Sequence, residues 1–298
     1  MKKVLVIAGP TASGKSDFAV EVALRFGGEI ISGDSIQIYR GMDIGSGKIR
    51  TEEMKGVPHH LIDIKEANEP YSVSEFQKLA RSCIEKISFP IICGGTGLYL
   101  KACLYDYVFE DEPRQETPAE YEAMDNESLH HLLEQIDMES AQRIHPNNRQ
   151  RVIRAIQIAE RSGKTKSEIE AAQNHTPIYD IFIAGCTAER SVLYERINAR
   201  VEQMFRDGLE QEIQGLLQQG IQFTDPGMKG IGYREFESYW NGTASIEEVK
   251  AEIQKHSRNY AKRQYTWLNH QMEVHWFEPT DPASRNRMMD AIMKWKEQ

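Results

Sequence analysis

A lysine and a serine close a glycine-containing loop near the start of the chain, and their spacing is typical of phosphate binding. Residues 9–16 read GPTASGKS, which fits the P-loop pattern of glycine, four residues, glycine, lysine and serine or threonine. In such a loop the backbone amides hold a diphosphate, Lys15 adds positive charge and the Ser16 hydroxyl can bind a magnesium ion. The apolar run 4–8 precedes the loop and a helix-forming run, 18–26, follows it. The loop therefore predicts a phosphate site, but it does not say which phosphate compound binds.

One aspartate is expected to face this loop. Asp34 follows the second predicted strand, residues 29–32, and the carboxyl ends of parallel strands meet at one edge of a sheet. The next buried strand, 89–93, ends in Gly-Gly-Thr, without the acidic residue that nucleotide kinases and NTPases use to bind magnesium. The Thr96 hydroxyl in this segment can instead form a hydrogen bond to a base or a sugar. The missing carboxylate weakens the NTPase interpretation.

The order of elements predicts an α/β fold, a P-loop NTPase-like parallel sheet covered by helices, with a small all-helical insert domain. Residues 1–108 and 177–298 form the predicted core, and residues 109–176 form the insert, in which no strand pattern occurs. The predicted strands are 4–8, 29–32, 60–64, 89–93, 179–186 and 274–277. A capping box from Ser72 to Glu75 predicts a helix that continues to residue 87.

Composition is that of an ordinary globular protein, with 40% hydrophobic and 27% charged residues. No apolar run has the length of a membrane span, so no membrane association is expected. The four cysteines form no CxxC pair, and free thiols in a reducing cytoplasm are the simplest interpretation. The net charge of −9 argues against a nucleic-acid partner unless the charges are segregated.

The basic residues are in fact segregated into two patches. Between residues 143 and 166 there is only one acidic residue, Glu160, and the basic residues are Arg143, Arg149, Arg151, Arg154, Arg161, Lys164 and Lys166. A second patch consists of Lys255, Arg258, Lys262 and Arg263, beside Tyr265 and Trp267. Basic residues next to aromatic rings are typical of single-stranded RNA binding. Two solvated helix faces explain the same pattern equally well.

Seven motifs between residues 9 and 268 together resemble one family. They are GPTASGKS, ISGDSIQIYRGMDIGSGK, GVPHHLIDI, ICGGTGLYLKA, RIHPNNRQRVIRA, GIGYRE and AKRQYTWL. The chain resembles the tRNA dimethylallyltransferases, also called tRNA isopentenyltransferases. It lacks the C-terminal zinc-finger extension of some eukaryotic members, which favours the bacterial type.

The resemblance implies an activity. The P-loop would hold the diphosphate of dimethylallyl diphosphate rather than ATP. The dimethylallyl group would move to the exocyclic amine of the adenosine 3′-adjacent to the anticodon in tRNA, and pyrophosphate would leave. Magnesium (Mg2+) is the implied cofactor, the anticodon stem-loop of tRNA is the implied partner of the insert, and a monomer is expected.

The resemblance also implies roles for individual residues. Asp34 would be the general base, with Lys15 and Thr96 as further catalytic residues and Ser16 as the metal ligand. The implied diphosphate-binding residues are Gly9, Pro10, Thr11, Ala12, Ser13, Gly14, Lys15, Ser16 and Arg200. The implied tRNA-binding residues are Asp34, Ser35, Ile36, Gln37, Thr96, Arg114, Gln150, Arg151, Val152, Ile153, Arg154, Lys229, Arg234, Lys262, Arg263 and Trp267.

Other functions remain open from the sequence. A small-molecule kinase would use the same loop, with the insert as its lid. An isopentenyltransferase acting on a free adenine nucleotide would share both the loop and Asp34, but it has no use for a basic insert. A non-catalytic RNA-binding module has no use for Lys15, Ser16 and Asp34 together.

Overall fold

The computed structural model describes residues 1–109, 117–173 and 175–298, which form two compact units. The larger unit joins Met1–Tyr105 to Pro177–Gln298, and the smaller unit is Asp106–Thr176. The sequence predicts the first boundary three residues later, after residue 108, and the second after residue 176.

Six parallel strands form one sheet in the larger unit. In chain order they are β1 (Lys3–Ala8), β2 (Glu29–Ser32), β3 (His59–His60), β4 (Pro90–Gly94), β5 (Asp180–Cys186) and β6 (His275–Phe277). Their order in the sheet is β3-β2-β4-β1-β5-β6. The P-loop follows the inner strand β1, and Asp34 follows β2 on the far side of β4.

Helices account for most of the remaining chain. In chain order they are α1 (Lys15–Phe26), α2 (Thr51–Met54), α3 (Val73–Lys86), α4 (Gly97–Leu104), α5 (Ala119–Ala123), α6 (Asn126–Ile136), α7 (Met138–Arg143), α8 (Arg149–Ser162), α9 (Lys166–Ala171), α10 (Arg190–Arg206), α11 (Leu209–Gln218), α12 (Phe236–Trp240), α13 (Ile246–Gln271) and α14 (Pro282–Glu297). Helices α5 to α9 belong to the smaller unit, and α5, α7 and α9 were not predicted from the sequence.

Both faces of the sheet are covered, because successive side chains of a strand point to opposite faces. From β1, Val4 and Val6 enter one apolar cluster with Phe76 of α3. Leu5 enters the other cluster with Phe18 of α1. Each fully buried side chain of this size stabilises the fold by roughly 1.5–3 kcal/mol. The two-sided core explains why the strands read as continuous apolar runs.

The third strand is shorter than predicted. The sequence predicts residues 60–64, but only His59–His60 pairs with β2. Leu61 and Asp63 have φ values of 60° and 56°, and a strand cannot continue through this left-handed conformation. The helix predicted after Ser72 does form, and Ser72 accepts a hydrogen bond from the Glu75 amide at 3.1 Å.

The smaller unit has its own apolar core, in which Leu129 and Leu133 of α6 pack against Val152 and Ile156 of α8. Asp137 ties its short helices together. The Asp137 carboxylate accepts hydrogen bonds from the Ser140 amide at 3.0 Å and from the Ser167 hydroxyl at 2.7 Å. The unit is therefore stabilised by contacts among its own helices.

All four cysteines are free thiols. Among the helices of the described residues, none combines the length and the apolar character that a membrane crossing requires.

Candidate active site

The P-loop lies between β1 and α1, as its sequence predicts. Gly9 has φ 142°, and a Cβ there would lie 2.3 Å from the Cys186 carbonyl oxygen, so only glycine fits. Gly14, with φ 86°, is the N-cap of α1. The N-terminus of α1 therefore opens toward the loop, and this end of a helix attracts anions.

Lys15 points back into the loop, where its Nζ donates a hydrogen bond to the Pro10 carbonyl at 2.7 Å. Burial lowers the pKa of Lys15, and the nearby positive charge of Arg200 lowers it further, while Asp34 opposes the shift. An ammonium group that has lost water in this way is stabilised by an anionic ligand. The geometry is therefore suited to a phosphate group.

Asp34 stands at the end of β2 with one carboxylate oxygen occupied. Its Oδ1 accepts hydrogen bonds from the Ile36 amide at 2.8 Å and the Gln37 amide at 3.2 Å. Within the described part of the chain, Oδ2 accepts no hydrogen bond. The turn therefore fixes the orientation of the carboxylate and leaves one oxygen for a ligand or a proton.

Arg200 reaches the site from α10 and is fixed by a glycine. Its Nη2 donates to the Gly47 carbonyl oxygen at 2.9 Å, and a Cβ at Gly47 would lie only 1.6 Å from that nitrogen. Burial lowers the pKa of Arg200, while Asp34 and then Glu53 oppose the shift. The guanidinium remains charged at neutral pH, so a second partly buried cation faces the site.

Glycines also bring helix α13 against the segment after β4. A Cβ at Gly95 would lie 2.2 Å from Gln264 Nε2, and one at Gly97 would lie 2.0 Å from the Trp267 ring. Thr96, between these glycines, is the N-cap of α4. Its Oγ1 is buried and lies near the Tyr260 hydroxyl of α13, with which it interacts. Thr96 therefore lies directly behind a residue that lines the cavity, since Tyr260 is part of that lining.

These segments enclose one cavity of about 350 Å³ within the larger unit. The residues lining it that the sequence had singled out are Thr11, Lys15, Ser16, Asp34, Ser35, Ile36, Gln37, Arg200, Lys229, Arg234 and Arg263. The other loop residues, Gly9, Pro10, Ala12, Ser13 and Gly14, shape the loop behind the cavity wall, and Thr96, Lys262 and Trp267 also lie outside the lining.

Of two further lining residues of α13, Tyr260 was missed by sequence reasoning, whereas Gln264 lies in the segment 262–269, which the family resemblance implies for tRNA binding. Gln264 Oε1 accepts a hydrogen bond from the Thr11 amide at 3.0 Å, so it joins α13 to the P-loop. Burial raises the pKa of the Tyr260 phenol, and the charge of Asp34 raises it further. Tyr260 lies one helical turn before Gln264, but a phenol on a long helix has no sequence feature that marks it as a site residue. The motif DIGSGK was noticed, yet the need for Gly47 appears only once Arg200 is in place.

The residues predicted for RNA contact in the smaller unit differ in accessibility. Gln150 and Arg151 are exposed and Arg154 is partly buried. Val152 is completely buried and Ile153 is 7% exposed, both in the core of the unit. The prediction of tRNA contact is therefore corrected for the side chains of Val152 and Ile153, because packing leaves them no free surface. Arg114 lies outside the described residues.

The residues of the second basic patch also differ in their partners and exposure. Lys255 pairs with Glu252 at 2.9 Å, and Arg258 Nη1 donates to Asn198 Oδ1 at 2.5 Å. Lys262 and Arg263 are exposed, and Arg263 lies over the Tyr260 ring at 5.7 Å. Lys262 and Arg263 thus present their charges to solvent, and Arg263 also lines the cavity.

Comparison with protein-family models gives two matches. Residues 37–271 match the family model described as IPP transferase, and residues 2–69 match that described as isopentenyl transferase. The first match covers most of the chain.

Curated relatives match over nearly the whole length. A tRNA dimethylallyltransferase of Geobacillus thermodenitrificans is 48% identical over 306 residues, which cover 99% of this chain and 96% of the relative. That of Anoxybacillus flavithermus is 45% identical over 301 residues, again 99% and 96%.

The chain belongs to the tRNA dimethylallyltransferase family.

Solved structures of similar proteins support the same family assignment. A tRNA isopentenylpyrophosphate transferase of Staphylococcus epidermidis has a TM-score of 0.74 and 42% identity, covering 100% of this chain and 99% of that one. A eukaryotic dimethylallyltransferase acting on tRNA has a TM-score of 0.82 and 27% identity, covering 99% and 80%. The resemblance of the seven motifs to tRNA dimethylallyltransferases is thus confirmed, as is the P-loop-like α/β fold. The roles of individual residues stay predictions.

Proposed function

We propose that this protein transfers a dimethylallyl group from dimethylallyl diphosphate to the exocyclic amine of the adenosine 3′-adjacent to the anticodon in tRNA. The single observation that supports it most is the cavity itself. Lys15 and Ser16 of the P-loop share it with Asp34 and Arg200, in a chain whose near full-length relatives are named tRNA dimethylallyltransferases.

The diphosphate occupies the end of the cavity formed by the P-loop. Lys15 and Arg200 are two partly desolvated cations whose repulsion is relieved by an anion. Negative charge grows on the diphosphate as its bond to carbon breaks, so these side chains and the loop amides stabilise the transition state more than the ground state. The same loop chemistry thus serves an allylic leaving group.

Asp34 accepts the proton. The adenine amine attacks the C1 carbon of the dimethylallyl group, the carbon–oxygen bond to the diphosphate breaks, and pyrophosphate leaves with the electron pair. As the new carbon–nitrogen bond forms, the nitrogen becomes acidic, and the free Oδ2 of Asp34 takes its proton. The hydrogen bonds to Oδ1 hold the carboxylate in place.

Magnesium fits the donor set that the cavity offers. The described residues contain no group of three or more His, Cys, Asp or Glu side chains able to hold a metal by themselves. Magnesium usually keeps several waters and binds through few protein oxygens together with substrate phosphates. The Ser16 hydroxyl, with the diphosphate oxygens, would hold it, and when bound it would neutralise charge on the leaving group.

The tRNA is held by exposed cations. Lys229, Arg234 and Arg263 line the cavity, where they can contact phosphates around a base that has been flipped out of its stack. In the smaller unit, Gln150, Arg151 and Arg154 are the candidate contacts to the anticodon stem-loop.

The test is product analysis. The protein is incubated with unmodified tRNA, dimethylallyl diphosphate and magnesium, and the digested tRNA is examined by mass spectrometry for isopentenyladenosine. Reactions without tRNA, without dimethylallyl diphosphate or with Lys15→Ala are the controls. Phosphate release from ATP, or prenylation of free AMP but not of tRNA, would contradict the proposal and favour a kinase or a free-nucleotide enzyme.

A further inference from the structure

A single carboxylate on helix α11 holds one wall of the cavity. Glu212 Oε2 accepts hydrogen bonds from the backbone amides of Asp43 at 2.9 Å and Ile44 at 2.7 Å. Its Oε1 accepts one from the Gly45 amide at 3.1 Å. Three successive amides thus converge on one side chain, as they do around an anion in a backbone nest.

Tyr233 completes this arrangement. Its hydroxyl donates to Glu212 Oε1 at 2.7 Å and accepts a hydrogen bond from the Ser46 amide at 3.1 Å. Tyr233 is completely buried, and a Cβ at Gly45 would lie 2.5 Å from its ring. Residues 43–46 are therefore fixed by one carboxylate and one phenol.

The next residue along this segment fixes Arg200. The Gly47 carbonyl accepts hydrogen bonds from Arg200 Nη2 at 2.9 Å and from Gln37 Nε2 at 3.3 Å. Gly45, Ser46, Gly47 and Arg200 all line the cavity. A displacement of residues 43–46 would move the Gly47 carbonyl, which is the hydrogen-bond acceptor for the Arg200 guanidinium.

We propose that Glu212 is a positioning residue for the diphosphate: through residues 43–47 it sets the place of the Arg200 guanidinium in the cavity. The inference rests on the proposed function for the identity of the organic substrate, but its anion-binding part stands on the geometry alone. Tyr233 contributes to the same positioning, because its hydroxyl bonds both Glu212 and the Ser46 amide.

The carboxylate is needed because of its oxygens. Glu212 accepts four hydrogen bonds through two oxygens and donates none. In Glu212→Gln one oxygen becomes an NH2 group, which faces either the amides of Asp43 and Ile44 or the amide of Gly45 and the Tyr233 hydroxyl. In either orientation the NH2 group would face at least one backbone N–H, which cannot accept a hydrogen bond, and the segment would have to shift.

The experiment measures inorganic pyrophosphate binding to the full chain by calorimetry with magnesium present. Glu212→Gln should weaken the affinity about tenfold, the size of effect that follows when charged hydrogen bonds in a partly buried site are lost. The matched control is Glu210→Gln on the same helix, since Glu210 accepts a hydrogen bond from the Tyr239 hydroxyl at 3.0 Å but does not touch residues 43–47. Glu210→Gln should bind pyrophosphate as the wild type does.

A double-mutant cycle with Arg200→Lys separates positioning from a general loss of stability. If Glu212 acts through Arg200, Glu212→Gln should have a much smaller effect on affinity in the Arg200→Lys background than in the wild type. Tyr233→Phe, which keeps the ring and removes the hydroxyl, is the second variant and should weaken the affinity in the same direction. Thermal unfolding of each variant shows that it is folded at the temperature of the binding measurement.

Equal pyrophosphate affinity in the wild type, Glu212→Gln and Tyr233→Phe would overturn the inference, as would strictly additive effects of the Glu212 and Arg200 changes. A wild type that binds pyrophosphate in a Glu212-dependent way but forms no prenylated tRNA would instead overturn the proposed function and leave this inference standing.

Discussion

Two cations in the cavity of the larger unit and two on the surface of the smaller unit differ in the groups that hold them. In the cavity, Lys15 and Arg200 are each held by a backbone carbonyl oxygen. In the smaller unit, Arg143 pairs with Glu139 and Lys166 pairs with Glu170, each on its own helix. A carboxylate partner neutralises part of a cation's charge, whereas neutral carbonyl oxygens leave the full charge of Lys15 and Arg200 for a ligand.

Arg151 of the smaller unit differs from these two paired cations. Arg151 is exposed and, in the described part of the chain, forms no ion pair. Its charge is unmatched, as in the cavity, but it is solvated, so it can attract RNA phosphates without a large desolvation cost. The comparison therefore leads to predictions for variants in the cavity, in the core of the smaller unit and on its surface, with effects of decreasing size.

The largest effect is expected inside the cavity, with Asp34→Asn. The amide keeps the shape of the carboxylate but cannot accept the proton of the attacking amine, so the single-turnover rate of prenyl transfer should fall about 10²–10⁴-fold. Pyrophosphate affinity should change little. Lys15→Ala, in contrast, should lower both affinity and rate, because its charge acts on the bound and the departing diphosphate.

The measurement is single-turnover kinetics together with calorimetry for both variants. If Asp34→Asn weakened pyrophosphate binding as much as Lys15→Ala does, Asp34 would belong to the phosphate or metal site, and its assignment as the base would be wrong.

A smaller effect is expected for Asp137 of the smaller unit, a buried carboxylate held by neutral donors. Burial alone would raise its pKa, but the hydrogen bonds from Ser140 and Ser167 dominate and lower it to about 2. Because the folded pKa lies below the unfolded value, the stabilisation is complete above about pH 4 and is lost as the pH falls toward 2. Asp137→Asn should cost about 2 kcal/mol at neutral pH and should remove this pH dependence.

Hydrogen exchange of residues 117–173 between pH 3 and pH 7 measures this stability within the intact protein. Glu127→Gln, an exposed carboxylate on the first turn of α6, is the control and should exchange almost as the wild type does. Equal protection in Asp137→Asn and the control would show that the Asp137 contacts contribute nothing.

The smallest effect is expected for the unmatched surface charge. Arg151→Glu should weaken binding of an anticodon stem-loop by up to about fivefold, since a single exposed charge contact contributes at most about 1 kcal/mol. The slope of log K against log salt should decrease by roughly 0.7 if one single-stranded phosphate contact is lost.

Arg143→Glu changes the net charge by the same amount at a position already paired with Glu139, and it is the matched control. Filter binding at several salt concentrations distinguishes the two. If Arg151→Glu and Arg143→Glu weakened binding equally, an existing ion pair would make no difference to how a cation of this unit contributes to RNA binding.

Much of the fold follows from local patterns. The strand at residues 29–32 has the predicted bounds, because its two central isoleucines lie in a short segment with a glycine on each side. Helix α8 ends at Gly163, which has φ 67°, as the Gly at the end of its periodic pattern predicts. The third strand was overestimated, because an apolar run does not reveal the left-handed residues that interrupt it.

The candidate site was predictable to a lesser degree. The P-loop and Asp34 could be found because their functional groups lie next to strand ends with a characteristic spacing. Arg200 came only from the family resemblance, since an arginine on a helix has no local feature that distinguishes it from a surface charge. Tyr260 gave no signal for the same reason.

The sequence by itself determined the strand–loop–helix unit, the alternating order of the sheet, the helical character of residues 117–173 and the family. These are encoded in periodicity, turn residues and motifs, which act over a few residues. Only the tertiary structure decided that Gln264 reaches the Thr11 amide across 253 positions, that Arg200 reaches Gly47 across 153, and that Glu212 gathers amides 167 to 169 positions away. The physical reason is that such contacts depend on how helices α10, α11 and α13 pack beside the sheet, and this packing is set by the whole apolar core at once rather than by any one segment.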